Sequence, residues 1–213
     1  MIHVKVEAVD RERKALLIMG STRAGRLCPR ITAWVEQVGR ECSELSFETI
    51  DLNDWLLPMD DEPGLPALAP YSQPHTRAWS DKVKQADAVV FVTPQFNWGY
   101  PAVLKNAIDH LYPEWHGKPA AIVTYGGHGG TRCGRQLRQV AAGVKMDVVA
   151  TAPALTLPEA VIRHNAPFDP ERDFRRYRMP VRRALEQLAA RVEGRELLLQ
   201  RLRRRWRQLV AAV

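Results

Sequence analysis

Five short apolar runs rich in β-branched residues, Ala15–Ile18, Leu45–Ile50, Ala88–Thr93, Ala120–Tyr125 and Val148–Thr151, set the strongest limit on what this chain can fold into. Each is too short for an ordinary helix, and each reads as a strand buried on both faces. Helix-period sets lie between most of them: Leu27, Ile31, Trp34, Val35 and Val38; Trp79, Val83 and Ala86; Leu104, Ala107, Ile108 and Leu111; Leu137, Val140, Ala141 and Val144. Strands alternating with amphipathic helices predict a parallel sheet covered on both sides. Right-handed crossovers then make a doubly wound five-stranded α/β fold, of strand order 2-1-3-4-5, the expected solution. In that order a crevice opens at the carboxyl ends of strands one and three, so the loops after Met19 and Thr93 become neighbours.

With 213 residues, 46% of them hydrophobic, the chain can bury a sizeable core. It contains no run of 18 apolar residues, so no membrane span is expected. The charged stretch Met1–Glu12 lacks the apolar segment of a secretory signal, which makes the cytoplasm the expected compartment. Cys28, Cys42 and Cys133 are an odd number without C-x-x-C spacing, as for reduced thiols that fill space. The formal net charge of +7 is unevenly spread. Residues 171–213 hold 13 Arg against 5 Asp or Glu, whereas residues 1–170 hold 18 Lys or Arg against 19 Asp or Glu. The body is close to neutral and only the C-terminus is basic.

Two unusual loops fall at the predicted crevice. In Met19–Arg26, glycines 20 and 25 permit a tight turn, and a helix starting near Leu27 points its positive end at the same place. Ser21, Arg23 and Arg26 add donors, so the loop reads as an anion site. Gly20-x4-Gly25 mimics the opening of a nucleotide-triphosphate loop. Arg26 and Leu27 stand where that motif needs Lys and Ser or Thr, which points to a monophosphate instead. The stretch Thr93–Pro101 carries three aromatic residues and two amides, a surface suited to a flat ring. A third loop, Tyr125–Gly130, has four glycines in its last five positions and borders the other two. The proline-rich segment Leu52–Gln73 is too long for a tight connection and is expected to wrap the surface as a lid or contact loop.

Together these segments resemble the NAD(P)H-dependent FMN reductase family of flavodoxin-like proteins. The resemblance rests on Gly20–Arg26, on Tyr71–Trp79, on Thr93–Asn97 with Pro101 and Leu104–Asp109, and on Tyr125–Gly127 with Gln136–Arg138, over residues 14–160. It implies FMN as cofactor, held at its phosphate by Gly20, Ser21, Arg23 and Arg26, along its ring and ribityl chain by Pro94, Gln95, Phe96 and Asn97, and at the other edge by Tyr125, Gly126, Gly127 and Gly129. It also implies ping-pong chemistry: NADH or NADPH gives hydride to flavin N5, and a quinone, free flavin, azo compound or similar small acceptor takes the electrons, with no catalytic side chain of the protein. Gln95 stands where the family often has Glu, and Phe96 where it usually has Tyr.

The family also implies a homodimer or tetramer, with the helix carrying Lys105, Asn106 and Asp109 at a subunit contact. On this reading residues 1–180 form the flavodoxin-like FMN-binding domain and residues 181–213 an amphipathic, Arg-rich helical extension. That extension is one long helix or two, with a 4-3 apolar seam interrupted at Gly194 and Arg195. Its expected role is self-association, ahead of nucleic acid or an anionic membrane. Two alternatives stay open: an FMN-binding electron carrier or redox sensor with a protein partner, and a nucleic-acid or membrane-surface binder whose basic tail rides on a flavodoxin-like scaffold. His110 and His116, with Asp109 and Glu114, lack metal-ligand spacing, so no metal is expected. His128, inside the glycine loop, reads as solvated. No G-x-S-x-G elbow supports a Ser-His-Asp triad.

Overall fold

The computed structural model describes residues 12–59 and 61–210, with side chains described through residue 194. The central sheet has the order β2-β1-β3-β4-β5, built from β1 (Lys14–Met19), β2 (Ser46–Asp51), β3 (Ala88–Pro94), β4 (Pro119–Gly126) and β5 (Asp147–Val148). All neighbouring strands are parallel. The fifth position differs from the expected Val148–Thr151. Strand β5 stops at Val148, and β6 (Ala154–Thr156) then pairs with the far end of β4. The break at residues 149–153 includes Pro153, which has no N–H to give a ladder.

Side chains alternate across the strands into two cores, as a period of two requires. From β1, Ala15, Leu17 and Met19 enter one core, while Leu16 and Ile18 enter the other. The first core packs under α1 (Cys28–Cys42) and α7 (Arg178–Val210), through Ile31, Trp34 and Val35 of α1 and Val181, Leu185, Leu188 and Val192 of α7. The second packs under α2 (Pro74–Gln85), α3 (Ala102–Asp109) and α4 (Thr131–Gly143), around Trp79, Leu104, Ile108 and Leu137. Leu16, Leu17 and Ile18 are fully buried, and each contributes about 1.5–3 kcal/mol by leaving water.

Helix α3 stops at Asp109, two residues before the expected Leu111. Helix α7 runs through Gly194 and Arg195 without a break, so the extension is one helix rather than two. Between β6 and α7 lie two short helices that periodicity does not reveal, α5 (Glu159–His164) and α6 (Pro170–Asp173). Among the described residues, no helix is long and apolar enough to cross a membrane.

Candidate active site

A cavity of about 710 Å³ opens at the carboxyl ends of β1, β3 and β4. That volume lies within the about 300–1,000 Å³ usual for small-molecule and cofactor sites. Its floor and one end come from the β1–α1 loop. Gly20 is buried beneath this loop, where a Cβ would stand 2.6 Å from Thr93 Oγ1 and 2.9 Å from Leu104 Cδ2, so only glycine lets β1 run this close to β3 and α3. Gly25, at φ +68°, makes the turn that leads into α1. No side chain caps α1 and no acidic residue lies in its first turn, so its positive end is left for a ligand.

The cationic groups gather at this same end. Arg23, Arg26 and Arg30 line the cavity, and no Asp or Glu does. Arg26 gives one guanidinium N–H to Asp51 at the end of β2, while its buried Nε has no protein partner. Arg23 is exposed and sits 6.0 Å from the Phe96 ring centroid. Ser21 is buried at 1% exposure, and its hydroxyl accepts the Arg23 N–H at 3.4 Å. The result is a hydroxyl, free cationic donors and a helix N-terminus converging on one spot, a donor set fit for a phosphate.

The opposite end is flatter and less polar. Pro94, Gln95 and Phe96 line it from β3, and Tyr125, Gly126 and Gly127 from β4. Beyond Phe96 the chain makes a two-residue turn, with Asn97 at φ +46° and Trp98 at φ +73°, closed by reciprocal Phe96–Gly99 backbone bonds of 2.9 Å. Asn97 is exposed and outside the cavity lining. Trp98 is 62% exposed, with the Arg132 guanidinium 3.2 Å from its ring centroid. Gly129, at φ +74°, is buried against the Ala154 carbonyl, 2.9 Å from where a Cβ would stand. It shapes the glycine loop from behind instead of lining the cavity. His128 is exposed and also lies outside the lining.

The thiols and the phenol beside the cavity are held neutral. Burial pushes the Cys28 thiol up, and burial beside Cys28 pushes the Tyr125 phenol far above its ordinary value, so both are neutral near pH 7. Burial takes the Cys133 thiol to about 12. Gln95 has a fixed duty of its own: its Oε1 accepts the Cys133 N–H at 3.2 Å, in the first turn of α4. The residue preceding that helix, Gly130, has no side chain to cap it, so the amide substitutes across the crevice.

The NADPH-dependent FMN reductase family model matches residues 13–158, which takes in every strand and all three crevice loops. The chain belongs to this family. It is 53% identical to an NAD(P)H-dependent FMN reductase of Schizosaccharomyces pombe over 166 residues, covering 77% of this chain and 82% of that one. An NAD(P)H-dependent FMN reductase of Saccharomyces cerevisiae is 47% identical over 160 residues, 70% of this chain and 83% of that one. In fold, the chain is similar to a solved flavoenzyme NAD(P)H:(acceptor) oxidoreductase from Paracoccus denitrificans, with a TM-score of 0.64 at 21% identity over 85% of this chain and 98% of that one. This reductase-family member is thus an oxidoreductase on a flavodoxin-like frame.

In this FMN reductase relative, one wall of the cavity comes from outside the crevice loops. Leu157, Val161, Ile162, Asn165 and Phe168 close it from the β6–α6 segment, and Ile162 Cδ1 approaches to 3.3 Å of where a Cβ on Gly127 would be. Apart from Leu157, these residues follow the end of the family match at 158. Neither periodicity nor motif marks them, because α5 buries none of its residues and so carries no apolar stripe. Arg30 was equally silent, a solvent-facing position on α1 by its spacing.

Proposed function

We propose that this chain binds FMN in the β1–β3–β4 cavity and acts as an NAD(P)H-dependent reductase of small acceptors such as quinones or flavins. The observation that carries the reading is the polarity of the cavity: cationic and carboxylate-free at the α1 end, flat and weakly polar between Phe96 and Gly127. A phosphate-bearing ring system has the same asymmetry. Ser21, Arg23 and Arg26 would hold the phosphate, with the unpartnered Arg26 Nε finding an acceptor. Pro94, Gln95, Phe96, Tyr125, Gly126 and Gly127 would border the ring, the backbone N–H groups of the glycine loop lying where negative charge would be met.

Bound FMN supplies two-electron hydride chemistry at its N5 atom. The protein's part is to position, exclude water and leave one ring face accessible to reductant and then acceptor. Glutamine in place of glutamate at 95 keeps the acceptor that α4 needs, so the departure from the family pattern leaves the local structure intact. The twelve residues named from the sequence act on this reading in two tiers, nine at the cavity surface and Gly20, Asn97 and Gly129 through backbone shape.

We place a homodimer contact on the α3 side, where Leu56, Met59, Leu65 and Leu68 are 67–84% exposed on the β2–α2 connection, and the enzyme in the cytoplasm. Light scattering should give twice the 24.1 kDa chain mass. The function is tested by an anaerobic absorbance spectrum of FMN-loaded protein freed of excess flavin. The expected result is retained flavin that bleaches with NADPH or NADH and recovers with a quinone. Retained flavin that stays oxidised would point to a carrier, and absence of both binding and turnover would overturn the reading.

A further inference from the structure

The described residues of the β2–α2 connection, 52–73, form no regular element; Leu52 enters the second core and Trp55, Leu57 and Tyr71 pack against it, while Leu56, Met59, Leu65 and Leu68 stay in solvent. Polar anchors hold the rest. Asn106 Nδ2 donates to the Leu57 carbonyl at 2.7 Å, His110 Nε2 lies 2.8 Å from the Pro58 carbonyl, and Glu62 accepts the Ser72 and Gln73 N–H groups at 2.9 and 3.0 Å. In the middle of these anchors the fold brings together three residues that no sequence spacing links. Asp61 comes from the connection, His75 from the first turn of α2 and His110 from the end of α3. One ligand atom from each lies within 4.8 Å of the other two, the one such His, Cys, Asp or Glu group among the described residues.

We propose that Asp61, His75 and His110 form a zinc-type divalent-cation site that cross-links the β2–α2 connection to α2 and α3. Two imidazoles and a carboxylate are a ligand set that zinc takes, with a fourth position for water or another carboxylate. His75 Nε2 is already 2.9 Å from Asp61 Oδ2, and the three ligand atoms, all within 4.8 Å of one another, need only small side-chain shifts to reach the roughly 3.3–3.6 Å ligand separation of a tetrahedral site. His110 is 6% exposed, and both its ring nitrogens have a partner, Pro58 O on Nε2 and the Thr76 hydroxyl on Nδ1 at 3.0 Å. Whichever nitrogen turns to the ion, the other keeps a partner that fixes the ring, as metal-bound imidazoles require.

The surroundings favour a cation. An adjoining cavity of about 180 Å³ is lined by Asp61, Glu62, Asn106, Asp109 and His110, and by no Lys or Arg. Asp109 has Lys105 as an ion-pair partner, whereas Glu62 is bound only to neutral donors. This cavity gives an ion a route in and room for a water ligand. The site shares no lining residue with the cavity at β1, β3 and β4 and does not depend on flavin.

The test is calorimetric titration of zinc chloride into chelator-treated full-length protein, repeated with cobalt chloride and read by visible absorbance. The expected result is about one ion per chain, intense tetrahedral-type cobalt bands, and a melting temperature several degrees higher with zinc. Asp61→Asn and His75→Gln, both at half-buried positions that should fold normally, should each weaken zinc binding at least tenfold. His164→Gln, on exposed α5, should leave it unchanged. Absence of saturable binding near one ion per chain overturns the proposal. So does equal zinc affinity in wild type, Asp61→Asn and His75→Gln, since the ion would then sit on other histidines.

Discussion

Replacing Arg26 by Ala should weaken FMN binding through the phosphate and through nothing else. Its guanidinium is 17% exposed, so its charge is only partly screened, and the buried Nε has no protein partner to lose. A hydrogen bond to a charged group is worth about 1.5–3 kcal/mol. Because Asp51 shares the charge, the lower part of that range applies: about 1.5–2 kcal/mol, or about 10- to 30-fold in Kd. Asp51 is 20% exposed and still accepts the Asn53 N–H at 2.9 Å, so the variant should fold. Arg23 is exposed, and Arg23→Ala should cost less, about 2- to 5-fold. The assay is flavin fluorescence quenching at low and moderate salt, with FMN and riboflavin compared on each protein. Riboflavin lacks the phosphate and should bind wild type and Arg26→Ala within about twofold of each other. An equal loss for both ligands, or an FMN Kd within about twofold of wild type, would refute the assignment of Arg26 to the phosphate.

Other outcomes follow from the packing and from one carboxylate. Phe174 is fully buried among Trp34, Phe168 and Tyr177, at centroid distances of 5.7, 5.2 and 5.9 Å, so Phe174→Ala should cost about 3–5 kcal/mol and lower the melting temperature by about 10 °C, measured by circular dichroism. A change under about 2 °C would mean that the segment after the family match is not part of the cooperative core. Ile162 is 49% exposed yet closes the cavity against Gly127, so Ile162→Ala should speed FMN release about fivefold in stopped flow while leaving the melting temperature nearly unchanged. Release at the wild-type rate would remove α5 from the site. Burial opposes it, but the backbone N–H groups of Ser72 and Gln73 and the Ser72 hydroxyl hold the Glu62 carboxyl down to about 2, against an ordinary 4.5. Its stabilisation is therefore complete above pH 4.5 and is lost as pH falls toward 2. Glu62→Gln should lower stability at pH 7 and flatten the acid limb of a urea-unfolding series between those values. An unchanged acid limb would show that the Glu62 contacts do not persist in solution.

The order of strands and the grouping of the crevice loops were legible because they depend on local pattern. Alternation within β1 sends Leu16 and Leu17 to opposite cores, and that period of two is present in the residues themselves. Gly20, Gly25 and the glycine loop announce tight turns, since few other residues tolerate those conformations or approaches. Strand pairing beyond Val148 was only partly legible: Pro153 marks a break, but the jump to Ala154–Thr156 is set by the free edge of β4. Asn106 also holds the Leu57 carbonyl 49 residues away, a partner that exists only after α3 packs beside the connection.

For the candidate site, the sequence determined the cationic end and the aromatic loop, because Ser21, Arg23, Arg26 and Phe96 carry their chemistry in short motifs on strand ends. Tertiary structure alone decided the α5 wall, the reach of Gln95 Oε1 across to α4, and the meeting of Asp61, His75 and His110. These depend on side chains 14 to 49 positions apart, or on a surface helix with no buried stripe. A linear pattern records what a residue can do within one or two turns of chain. Contacts between separate elements are fixed by how two cores close around one sheet, and only the folded chain brings them together.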